Sequence, residues 1–145
     1  MPWEYIEDGV TSDVTFRAWG QDLDELFSAA AEATASAMVE DAATTVAALR
    51  TVPVRAEASG LDLLLLRFLE ELIFEKDARG LILRAREVRV DGDDAQGWTL
   101  QATLVGEPID PARHALAGDV KAVTLYGLRV ERDGAVWRAQ VTLDV

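Results

Sequence analysis

At 145 residues the chain has the length of one domain, and its 50% hydrophobic content is enough for a real core. A formal net charge of −12, from 26 Asp+Glu against 14 Lys+Arg, argues against autonomous nucleic-acid binding and against an anionic membrane surface, both of which need Lys and Arg in excess. There is no cysteine, which excludes disulfides, thiol catalysis and thiolate metal sites.

The first residues, Met-Pro-Trp-Glu-Tyr, have neither the basic nor the apolar region of a signal peptide. Residues 3–7 alternate aromatic and charged side chains and predict a short strand. Residues 8–12 predict a turn around Gly9. Val14, Phe16 and Ala18 alternate with Thr15, Arg17 and Trp19, a second strand ending at Gly20. Asp22 and Glu25 have the spacing of a capping box. Leu23, Leu26, Phe27, Ala30, Ala37 and Met38 then share one face of a helix that should run to about Glu40. Thr44–Val46 follows, and then 52–57, which alternates; Pro53 suits a strand start or edge.

A second helix should begin near Ser59-Gly60-Leu61-Asp62. Over 61–74 it leaves only a narrow polar stripe of Arg67, Glu70, Glu71 and Glu75, so it is expected to be central and covered on most sides. The apolar stretch 63–74 is broken by Arg67, Glu70 and Glu71 and is too short to span a bilayer. Gly80 fits the position after a helix end.

Strands are predicted from there on. Residues 81–90 form one, with a shift of apolar parity between Ala85 and Val88 that suggests a bulge. Residues 91–94 predict a hairpin turn, and Trp98, Leu100, Ala102 and Leu104 the next strand. A loop over 107–118 holds the only histidine, His114. Residues 119–132 form a strand interrupted by Gly127, and Asp133-Gly134 a tight hairpin. The last strand, 135–145, places Trp137, Ala139, Val141, Leu143 and Val145 on one face. Its regularity predicts an end held firmly, carrying the Asp144 side chain and the Val145 main-chain carboxylate. Two main helices and about seven strands, grouped rather than alternating, predict an α+β fold with a mostly antiparallel sheet, in a single domain over 1–145.

Few motifs carry chemistry. No glycine-rich nucleotide loop occurs. His114 reads better as a surface or loop-fixing residue than as a base. Asp91-Gly92-Asp93-Asp94 lacks the spaced ligands of a calcium loop. Trp3, Trp19, Trp98 and Trp137 all fall on strand patterns, which favours core over a stacking platform. Asp13 and Asp144 are, by spacing alone, ordinary solvated carboxylates at strand ends.

A resemblance raises their interest. Thr11-Ser12-Asp13-Val14, Phe16-Arg17-Ala18-Trp19-Gly20, the helix residues Leu23, Glu25 and Phe27, and the Leu-rich stretch 61–73 resemble the archease family. So do Asp119-Val120-Lys121-Ala122-Val123-Thr124, Gly127-Leu128 with Val130, and the closing Trp137, Ala139-Gln140-Val141 and Leu143-Asp144-Val145. The similarity covers nearly the whole chain, and the end block is its most specific part. Gly106-Glu107-Pro108 with Asp110-Pro111 and His114 also matches.

The resemblance implies a small cytoplasmic, non-enzymatic cofactor of a GTP-dependent RNA ligase of the RtcB type. Such a ligase joins a 2′,3′-cyclic phosphate or 3′-phosphate end to a 5′-hydroxyl, as in tRNA splicing or RNA repair. The archease would promote its guanylylation and multiple turnover. The resemblance also implies a divalent metal, Ca²⁺ before Mg²⁺, at Asp13, Asp144 and Val145, with Lys121 as neighbour and partner contact. Oxygen-only ligands suit such a hard cation. No catalytic residue is implied. Two departures are visible: Val10 stands where members often carry His, and Leu125-Tyr126 where many carry Tyr-His. Two other functions compete. One is a metal-dependent phosphoester hydrolase using the same carboxylates on a bound water. The other is a general chaperone or adaptor, which needs an exposed apolar patch.

Overall fold

The computed structural model describes residues 1–6 and 13–145. Glu7 and the expected turn over 8–12, Val10 included, lie outside the described residues. In chain order the elements are β1 (Trp3–Ile6), β2 (Asp13–Gly20), α1 (Leu23–Met38), α2 (Ala42–Thr45) and β3 (Arg50–Ala58). Then come α3 (Leu61–Arg79), β4 (Leu81–Asp93), β5 (Gly97–Pro108), β6 (Ala122–Asp133) and β7 (Val136–Asp144). The α+β class and the antiparallel pairing are as expected. The seven strands, however, divide between two sheets, β1-β2-β7-β6 and β3-β5-β4.

The helices connect the sheets. α1 packs on β2 and β7 of one sheet and on β4 of the other, while α3 packs on β3, β4 and β5 and reaches β6. One cluster of buried residues runs from Trp3 to Leu143 through both helices and both sheets.

The two long helices exchange the roles that the sequence assigned them. α1 was expected to bury one face, yet Ala29, Ala30, Ala31, Ala33 and Ala35 are all buried, as are Leu26 and Phe27. Methyl side chains let both sheets approach its backbone closely, and beyond Leu23 only a narrow stripe of Asp24, Glu25, Ser28, Glu32 and Ser36 is left unburied. The one buried polar side chain of α1 is satisfied locally: the Thr34 hydroxyl donates to the Ala30 carbonyl at 2.8 Å. α3 was expected to be covered on most sides, but Leu63 is 37% and Phe74 55% exposed, and Glu75, read as part of the polar stripe, is buried.

Local signals mostly hold. The Asp22 side chain accepts from the Glu25 N–H at 2.8 Å, and Glu25 reaches back to the Gln21 N–H at 2.7 Å. Ser59 does not cap α3, whose N-cap is Gly60 without a side-chain hydrogen bond. Gly80 closes α3 at φ 65, a region that favours glycine. Pro53 sits on β3, an edge strand, where a missing N–H is tolerated. The bulge in β4 falls between Ala85 and Glu87, as the parity shift predicted. The turn after β4 comes later than expected: β4 and β5 stay paired through Asp93↔Gly97. Ala122, not Asp119, begins β6, and Glu107 and Pro108, assigned to a loop, still pair within β5.

Candidate functional site

β2 and β7 pair in continuous register from Gly20↔Trp137 to Asp13↔Asp144. Both strands are half-buried by design, with Phe16, Val141 and Leu143 turned to the core. Period-two alternation then puts Asp13, Thr15 and Arg17 on the opposite face, beside Asp144, Thr142 and Gln140. Asp13 and Asp144 are directly opposed, so their side chains share one face with Cβ atoms about 5 Å apart. Both are half-buried. Among the described residues neither carboxylate receives a hydrogen bond or an ion pair. Two like charges held opposite each other, with no counter-ion among the described residues, is an unfavourable arrangement.

A row of hydroxyls lies one step further in. Thr15 and Thr142 are both buried, and their Oγ1 atoms are 2.9 Å apart. Thr124 of β6 faces Thr142, and its Oγ1 is buried with no partner among the described residues. On the β6 side Asp144 faces Ala122, which brings no charge. Asp13 and Asp144, with Thr15, Thr142 and Thr124, thus present carboxylate and hydroxyl oxygens.

Val145 follows Asp144 with its side chain packed on the core, beside Gly118. Lys121 is tied to Asp144 through the backbone, its N–H donating to the Asp144 carbonyl at 2.8 Å. The Lys121 ammonium makes no ion pair among the described residues; its charge helps to lower the Asp119 pKa. The structure therefore brings Asp13 and Asp144 together, with Val145 and the Lys121 backbone adjoining them. Among the described residues no group of three or more His, Cys, Asp or Glu side chains gathers at one point. A cation here would have the two side-chain carboxylates. The donor chemistry, oxygen alone and negative, fits a hard divalent cation that keeps several waters or gains ligands from a partner.

Two polar clusters were not foreseen. Glu107 is buried; its Oε2 accepts the Ala47 N–H at 2.5 Å and its Oε1 accepts from Arg113. The His114 ring is fully enclosed. Its Nδ1 accepts the Asp110 N–H at 2.9 Å, and its Nε2 lies 3.3 Å from Glu107 Oε2 without hydrogen-bond alignment. His114 therefore fixes the loop, the second of the two roles foreseen; it is not at the surface. The second cluster is Lys76, which pairs with Asp77 at 2.7 Å and Asp119 at 2.8 Å. Burial alone would lower the Lys76 pKa, but its hydrogen bonds to Asp119 and Asp77 raise it above the ordinary value; the same bond lowers that of Asp119. The Glu107–His114 spacing was visible in the sequence; the Lys76–Asp119 pair spans β4 and β5 and had no local signal.

Among the described residues, two grooves lie away from the Asp13–Asp144 pair. A groove of about 790 Å³ runs between α3 and β3, lined by Arg55, Glu57, Arg67, Glu70, Glu71 and Phe74. Another of about 710 Å³ is lined by Trp19, Asp24, Glu25 and Glu32. Of the tryptophans, Trp3 is in the core, Trp98 and Trp137 are half-buried against it, and Trp19 is half-buried at the groove just described. Burial pushes the Tyr5 hydroxyl pKa up to about 12 while it donates to the Ala33 carbonyl. No described helix is long and apolar enough to cross a membrane.

Residues 3–145 match the Archease protein family (MTH1598/TM1083). The chain is 34% identical to the protein archease of Methanopyrus kandleri over 145 residues, covering 100% of both chains. It is 35% identical to that of Pyrococcus abyssi, covering 99% of this chain and 98% of the other. The solution structure of protein 1598 of Methanobacterium thermoautotrophicum superposes with a TM-score of 0.82 at 30% identity, over 99% of each chain. The crystal structure of an archease and "possible chaperone" from Thermotoga maritima has a TM-score of 0.61 at 16% identity, covering 98% of this chain and 99% of the other, and speaks to the fold alone.

Proposed function

Because the chain belongs to the archease protein family, we propose that it is a non-enzymatic protein cofactor of a GTP-dependent RNA ligase of the RtcB type, in a cytoplasmic setting. It would promote guanylylation of the ligase and so its multiple turnover in tRNA splicing or RNA repair. One observation carries the reading: Asp13 and Asp144 are held opposite each other at the end of a rigid sheet, with no described partner for either carboxylate. A fold spends stability on such a pair when something outside it uses the charge.

A ligase that uses GTP must gather its nucleophile, the nucleotide phosphates and its metal ions before each guanylylation. Asp13, Asp144 and the Val145 main-chain carboxylate would hold a divalent cation, Ca²⁺ before Mg²⁺, which when bound supplies positive charge near those phosphates. The chain's own contribution is position. The β2–β7 register fixes the two carboxylates. The Lys121 N–H fixes the Asp144 carbonyl, and Val145 anchors the terminus in the core. Such a projecting, preorganised group favours the guanylylation-competent state of a partner without doing chemistry itself. The acidic balance suits a partner made basic by handling RNA, and direct tRNA binding is not expected.

A hydrolase reading needs a base near the carboxylates. His114 is enclosed, with both ring nitrogens turned to Asp110 and Glu107. The test is turnover. Catalytic amounts of the protein should raise multiple-turnover ligation by its cognate ligase and leave single-turnover sealing by pre-guanylylated ligase unchanged. Acceleration of sealing alone, or phosphoester hydrolysis by the protein with divalent metal, would overturn the proposal.

A further inference from the structure

β6 and β7 pair regularly except at one place. Between Thr124↔Thr142 and Arg129↔Gln140, β6 carries four intervening residues and β7 only one. Residues 125–128 are thrown out of the ladder, and Gly127 makes the turn at φ 64, where other residues are strained. At the tip, Leu125 is 70% and Tyr126 72% exposed. β6 is an edge strand. A bulge of this kind twists an edge away from further pairing; this one also presents a leucine and an aromatic ring to water.

Its position gives it meaning. Thr124, the residue before the tip, is opposite Thr142, one step from Asp144 on the same face. The apolar tip therefore begins three residues along β6 from Ala122, the residue that faces Asp144. Leu116, 56% exposed, lies two residues before the Gly118 that abuts Val145. An aromatic and aliphatic anchor beside charged groups is the make-up of a protein-binding centre, in which Tyr is over-represented.

We infer that the Leu125–Tyr126 tip is the docking anchor for the RNA ligase, an inference that rests on the function proposed above. The partner surface it fits has an apolar pocket within a basic field, which complements the net charge of −12. The tip supplies short-range affinity and the carboxylate pair supplies activation.

The experiment separates the two. Leu125→Ser and Tyr126→Ser remove no buried contact, so melting temperatures should stay near wild type. The double variant should weaken the dissociation constant for the ligase by roughly thirtyfold or more, and Tyr126→Phe should bind nearly as wild type. At saturating concentration the double variant should stimulate guanylylation fully. Asp144→Ala should bind normally and not stimulate. Wild-type affinity of the double variant would overturn the docking assignment while leaving the activator reading intact. Binding by the wild type without stimulation would overturn the activator reading and leave the affinity comparison to decide the docking face. Absence of binding by the wild type would overturn both.

Discussion

Asp144→Asn should stabilise this protein when divalent cations are chelated. The two carboxylates sit on directly opposed positions of β2 and β7, about 5 Å apart at Cβ. Unit charges at that separation repel by about 0.8 kcal/mol in a water-like dielectric and by about 3 kcal/mol at an effective dielectric of about 20. Both side chains are half-buried and reach solvent, so the gain should lie near the lower end, about 1 kcal/mol. In a domain of this size that is a rise of about 3–4 °C in melting temperature. The assay is thermal unfolding in EDTA at low ionic strength, for wild type, Asp13→Asn, Asp144→Asn and the double variant. Each single variant should melt above wild type, and the double variant should gain little more, because either change removes the same repulsion. In about 1 M salt the differences should shrink. A single variant that melts below wild type in EDTA would show a carboxylate engaged in a structural bond. Gains that simply add would show that the two do not interact. Either result would refute the reasoning.

Calcium at about one hundred times its dissociation constant should stabilise the wild type by about 2.7 kcal/mol in a calorimetric melt and leave Asp13→Ala unchanged; a long C-terminal tag, which displaces the Val145 carboxylate, should blunt the response. Glu107→Ala strips the acceptor from the Ala47 N–H and from Arg113, and should cost about 3 kcal/mol in denaturant unfolding. The Asp119 carboxyl lies below its ordinary value of 3.8 because of Lys76, so it contributes stability above that pH and loses it as pH falls through the lower folded value. Asp119→Asn should therefore lower stability at neutral pH and flatten the loss below about pH 4, read from melting temperature against pH.

The strands, the bulge of β4 and the cap of α1 were legible because each rests on local chemistry: alternation, a parity shift, an Asp and a Glu three apart. The division into two sheets was not, since no local pattern says which strand edges meet. The exchange of roles between the helices has a similar cause. α3 carries more leucine, yet α1 is more enclosed, because alanine lets neighbouring elements approach closely and that depends on what surrounds it. Asp13 and Asp144 were singled out only through a family resemblance. Their opposition is a matter of register between strands at opposite ends of the chain, which spacing cannot supply. The Leu125–Tyr126 tip was hidden for the same reason: a strand read as merely interrupted at Gly127 has its excess residues defined only against β7.

The most direct test of the central claim is the rate of ligase guanylylation with wild type and with Asp13→Asn. The variant keeps the fold, the register and the exposed tip, and on the argument above it is the more stable protein in chelator. The account predicts that wild type accelerates guanylylation of its cognate ligase and that Asp13→Asn, equally well bound, does not. Full acceleration by Asp13→Asn would contradict it, because the opposed carboxylates would then have no part in what the protein does.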